Sequence, residues 1–131
     1  MTSMRRPAFW GLRLALVILT GSCAKSDSAV SPSPQPTTGT TVTITSSGAT
    51  PRNILLPRGS QATFLNRDSV PHDMYSDPHP EHTDCPEFNQ VGYLVPGQRR
   101  QTGNLITVRV CGYHDHDDGL SSKWQGNITI Q

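Results

Sequence analysis

The segment from Thr41 to Gln131 is predicted to be a single all-β sandwich. Three observations lead there: short stretches of apolar–polar alternation, turn residues between them at regular spacing, and no helical periodicity. Thr41-Val42-Thr43-Ile44-Thr45 alternates β-branched residues at period two, as a half-buried strand does. Ser46 to Arg52 is turn-rich, and Asn53-Ile54-Leu55-Leu56 is a short strand stopped by Pro57 and Gly59. Gln61 to Leu65 follows, with Phe64 facing the core, and Asn66-Arg67-Asp68-Ser69 turns the chain. Val70 to Tyr75 extends again. Tyr93-Leu94-Val95 leads into a Pro96-Gly97 turn, followed by an extended Thr102 to Leu105. Ile106 to Cys111 and Asn127 to Ile130 alternate cleanly and complete the set. About 90 residues suit one compact domain and no more.

What precedes the domain has a different character. Residues 1–22 read as an export signal: Arg5 and Arg6, an apolar run from Leu14 to Leu19, then small residues. Thr20-Gly21-Ser22-Cys23 resembles a bacterial lipoprotein cleavage box, which makes Cys23 the candidate lipidation site and places the domain in the periplasm or at the cell surface. Residues 23–40 are small, polar and proline-rich, so the expectation is a disordered tether.

The chemistry is concentrated in two segments, Ser76 to Gln90 and Gly112 to Lys123, each long for a connection in so small a domain. All five histidines (His72, His79, His82, His114 and His116) lie in or beside them, as do Cys85 and Cys111. Nine of the ten acidic residues fall between Asp68 and Asp118, so acidic and imidazole groups are nearly confined to this part of the domain. Imidazole and thiolate together are ligands for copper and zinc. Cys111 ends an alternating strand and is followed by Gly112-Tyr113-His114-Asp115-His116. If the chain folds back there, a histidine three or five residues on meets the same metal as the sulfur. His72 would join them if its strand neighbours that of Cys111. Two imidazoles and a thiolate are the blue-copper set. His79, His82 and Cys85 recur every three residues. On one helical or 3-10 turn they would share a face, and would complete that site, form a second one or cover the first.

Beyond this chemistry, the stretch TITSSGATPRNILLPRGSQATFLNRDSVPHDM resembles the N-terminal half of plastocyanin-like cupredoxins. VGYLVPG resembles their middle turn, and VCGYHDH with WQGNITI resembles their C-terminal Cys-x-x-His loop and closing strand. The resemblance implies a Greek-key sandwich with copper at one end, held by His72, Cys111 and either His114 or His116. It also implies electron transfer or copper handling with a protein partner. The axial methionine of the family is missing. Depending on how the loop is counted, Leu120 or Trp124 stands in its place. Met74, two residues past His72, is a spare soft ligand or a core residue.

A disulfide between Cys85 and Cys111 is the rival expectation for two cysteines of an exported domain. It would leave a histidine site suited to Cu(II) or Zn(II), or a sandwich without metal. Net charge is +1 with no basic stripe, which excludes a nucleic-acid surface. No nucleophile elbow, phosphate loop or His-Glu-x-x-His motif occurs, so the chain does not read as an enzyme.

Overall fold

The computed structural model describes Thr37, Thr38 and residues 40–131. The expected export signal and the candidate lipidation site Cys23 lie outside the described residues. Among the described residues, ten strands form two sheets. The first sheet contains β1 (Thr37–Thr38), β4 (Asn53–Leu56), β10 (Gly126–Ile130), β9 (Arg109–Asp115), β6 (His72–Ser76) and β7 (Gly92–Leu94), in that order. The second contains β3 (Gly48–Thr50), β2 (Thr41–Thr45), β5 (Thr63–Asn66) and β8 (Arg99–Gln101). Both sheets are mixed: β4 pairs parallel with β10, and β2 with β5.

Alternation puts Val42, Ile44, Ile54, Leu56, Phe64, Ile128 and Ile130 between the sheets, all essentially buried. Phe64 forms the centre of an aromatic cluster, edge-on to Phe88 at 5.0 Å and to Tyr113 at 5.1 Å. The Pro96-Gly97 turn forms as expected. Gln98 N donates to Val95 O at 2.9 Å, and Gly97 takes φ +80°, which a side chain would resist.

Four expectations need correction. Thr37 and Thr38, assigned to the tether, pair in parallel with Ile54 and Leu55. The strand expected over Thr102 to Leu105 lies instead at Arg99–Gln101, and Leu105 keeps only a bridge to Ser60. Ile106, Val108 and Val110, whose alternation signalled a strand, are more than half exposed. Only its last three residues, Arg109 to Cys111, are strand, and β9 then runs four residues past Cys111, to Asp115. That last difference decides where the ligands go.

Candidate metal centre

Side chains of consecutive strand residues point to opposite faces. Because β9 continues beyond Cys111, residues 111, 113 and 115 face the inside of the sandwich, while 112 and 114 face outward and His116 follows them at the strand end. On β6, His72, Met74 and Ser76 are the buried, inward set; Asp73 and Tyr75 point outward, as does Asp77 just beyond the strand. The register places Tyr75 opposite His114 and Met74 opposite Asp115. Cys111 and His114, three residues apart on one strand, therefore lie on opposite faces and cannot share a metal.

Cys111 is instead disulfide-bonded to Cys85, both fully buried. His72 finds Asp115 rather than sulfur. Its Nδ1 lies 2.6 Å from Asp115 Oδ2, and its Nε2 lies 3.2 Å from Asp68 Oδ2. The Trp124 ring packs 4.9 Å from the His72 ring, and the indole donates to Thr45 O. Burial pushes the Asp68 carboxyl up, yet hydrogen bonds from Ser69 and His72 hold it below the usual carboxylate range. A thiolate-bound copper at this pole does not fit these residues. Met74 is a core side chain, Leu120 is fully exposed, and Trp124 packs against the core.

The other four histidines do meet. Ligand nitrogens of His79, His82, His114 and His116 all lie within 4.8 Å of one another. They gather on the outer face of the first sheet, where the segment between β6 and β7 folds over the sheet. That segment is held by several ties. Phe88 is buried in the core, Arg109 pairs with Glu87 at 2.7 Å, and the disulfide fixes Cys85 to β9. Asn89 binds both ends of the histidine turn, accepting from Ser76 N and donating to His82 O. The expected single face for His79, His82 and Cys85 does not form. The turn breaks at His82, which takes φ +55°, so His79 and His82 meet while Cys85 plunges into the core. A non-glycine residue in that region carries strain of about 1–3 kcal/mol, a cost that recurs at functional sites.

Two of the imidazoles are oriented by acceptors behind them. His114 Nδ1 donates to Asp77 Oδ1 at 2.7 Å, and His82 Nδ1 donates to Ser76 O at 2.9 Å. Each is left with its lone pair on Nε2, directed into the cluster. His82 Nε2 faces His116 Nδ1 at 2.9 Å. His114 is 1% exposed, and its Nε2 is buried without any hydrogen-bond partner. An orphaned buried acceptor surrounded by three imidazoles fits a cation. The ring of Tyr75 lies 4.6 Å from His82 and 5.6 Å from His116, forming the floor beside them. His79 is the exposed member. Partial desolvation, then the charges of His116, His114 and His82, lowers its pKa below the usual histidine value.

Gly112 makes room for this arrangement. A Cβ there would overlap the Asp77 carboxylate, whose backbone N donates to Gly112 O at 3.0 Å. Gly112→Ala is expected to push Asp77 off His114 and weaken metal binding by about 10–100-fold, the usual effect of losing an outer-sphere partner. A chelator-competition titration checks this.

Sequence spacing identified all four histidines but grouped them wrongly. The missed signal is parity. His114 and His116 are two apart and share a face, whereas Cys111 differs from both by an odd number.

No family model matches the chain, and no curated protein matches it. Among solved structures, the chain is similar to a purple cupredoxin from Nitrosopumilus maritimus, with 20% identity and a TM-score of 0.55 over 71% of this chain and all of that one. It is also similar to a mutant plastocyanin of fern, with 15% identity and a TM-score of 0.54 over 70% of this chain and 99% of that one. A copper-containing nitrite reductase from Thermus scotoductus is matched at 19% identity and a TM-score of 0.51, over 76% of this chain but 23% of its own. Strand order, two-sheet packing and these likenesses agree: the described residues form a β-sandwich of the cupredoxin fold.

Proposed function

We propose that the domain binds one Cu(II) ion through His79, His82, His114 and His116, and that it holds or passes on copper at the cell envelope. The observation that carries this is the convergence of four imidazole nitrogens around the unpaired Nε2 of His114. An all-nitrogen set without thiolate suits Cu(II) better than the blue-copper chemistry expected from the sequence resemblance. The fold supports copper over zinc, since copper proteins share it. A buried disulfide accords with an oxidising compartment, and the export signal and Cys23 anchor read from the sequence would deliver the domain there.

The test is titration of the purified domain with copper and, separately, with zinc. One equivalent of Cu(II) should bind, giving a pale complex with a nitrogen-rich EPR spectrum and no intense thiolate band. Zinc binding tighter than copper, or a deep blue complex, would overturn the reading. The ligands must be neutral to bind, so affinity should fall on acidification as the imidazoles take up protons. Because the pKa of His79 is lowered, it resists protonation until below the usual histidine range. The loss should therefore develop over an interval that begins in the usual histidine range, about 6.5, and extends below it. Affinity that stays flat across that interval would exclude imidazole ligation.

A further inference from the structure

His72, the first ligand that the sequence suggests, lies outside the four-histidine cluster yet is among the most buried polar residues, at 2% exposed. Both of its ring nitrogens face carboxylate oxygens, so neither nitrogen is open to a metal. Its partner Asp115 sits in the chain between His114 and His116. Asp115 is 3% exposed and fully engaged: Oδ2 meets His72, and Oδ1 accepts from Asp73 N at 3.1 Å and Asp117 N at 3.2 Å. The bond from Asp117 caps the 3-10 turn His116–Asp118, in which His116 is the first residue. The same carboxylate therefore fixes how β9 ends and where the next turn begins. The direction of His116 relative to His114 follows from that junction.

We propose that His72 is a positioning residue. Acting through Asp115 from the inner face of the sheet, it sets the separation of His114 and His116 on the outer face, and thereby tunes the affinity of the four-imidazole site. The proposal rests on that reading of the site and adds to it an inner strut coupled to the metal through one carboxylate. Without His72, the buried Asp115 carboxylate loses its shortest hydrogen bond and must seek another partner. Such a shift moves the segment that carries two ligands.

The experiment compares His72→Leu with His72→Asn, whose amide nitrogen can occupy the place of Nδ1. His72→Leu should keep one copper per domain and the same number of nitrogens in the EPR spectrum, with affinity reduced about 10–100-fold. His72→Asn should recover most of that loss. In the metal-free protein, the ring NMR signals of His114 and His116 should shift in the Leu variant and return in the Asn variant. A purely structural His72 would lower the melting temperature without moving those rings. Unchanged affinity and unchanged ring signals would overturn the proposal, and so would loss of one nitrogen from the copper spectrum, which would make His72 a ligand. If the parent binds no copper, the four-imidazole reading fails, while the ring signals of the metal-free variants still decide the strut. Should His72→Leu not fold, Asp115→Asn, which keeps the shape and weakens the acceptor, carries the same comparison.

Discussion

Replacing His114 with alanine is expected to remove nearly all of the stabilisation that copper confers on the domain. A ligand that binds only the folded state stabilises it by about 2.7 kcal/mol at one hundred times its dissociation constant. For a domain of this size that is a rise in melting temperature of about 10–20 °C. His114 is the ligand with the least freedom. It is buried, held by Asp77, and its Nε2 has no partner until a cation arrives. An unsatisfied buried acceptor costs about 1–3 kcal/mol, and binding relieves it. Losing such a ligand should weaken copper by at least about 100-fold, beyond the loss from an outer-sphere change. At the same copper concentration the gain then falls to about 0.4 kcal/mol, or about 2–3 °C. His79→Ala removes an exposed ligand from a surface turn and should cost less. Thermal melts of the two variants with and without copper check the order. An undiminished copper shift in His114→Ala would place the metal elsewhere.

Strands were legible in the sequence where alternation reports burial on one face. Val42 and Ile44, and Ile128 and Ile130, alternate with polar residues because the threonines between them point away from the core. Alternation misled at Ile106, Val108 and Val110. Three β-branched residues at period two give the same pattern whichever face they take, and here they face out. The pairing at the site was not legible because register is a long-range property. A shift of one residue between β6 and β9 would exchange every inward and outward side chain. With the register observed, Asp77 reaches His114 and His72 reaches Asp115. The end of β9 mattered equally. A strand ending at Cys111 would have let a loop bring a histidine back to the sulfur. Four more strand residues divide cysteine and histidine between the two faces. Which residues could ligate was therefore readable from composition, and which of them meet was not.

The same division makes the cysteines the second decisive test. In Cys85→Ala/Cys111→Ala, stability should fall by about 3–4 kcal/mol. The bridge closes a loop of sequence separation 26, and the chain entropy released by opening a loop of that length gives this figure. The melting temperature should drop by about 12–32 °C, since each kcal/mol corresponds to about 4–8 °C for a domain of this size. Copper affinity should decline too, because the disulfide is the covalent tie between the turn bearing His79 and His82 and the strand bearing His114. The turn should still reach the cluster, because Asn89 and the buried Phe88 hold it independently of the sulfurs. The form of the copper spectrum should therefore survive in a protein with no thiol in the domain. Thiolate ligation predicts the reverse, a copper signature that disappears with Cys111 while the melting temperature scarcely moves. Calorimetry and EPR on this one double variant separate the two, because a sulfur bound to its fellow stabilises the chain and a sulfur bound to copper colours it.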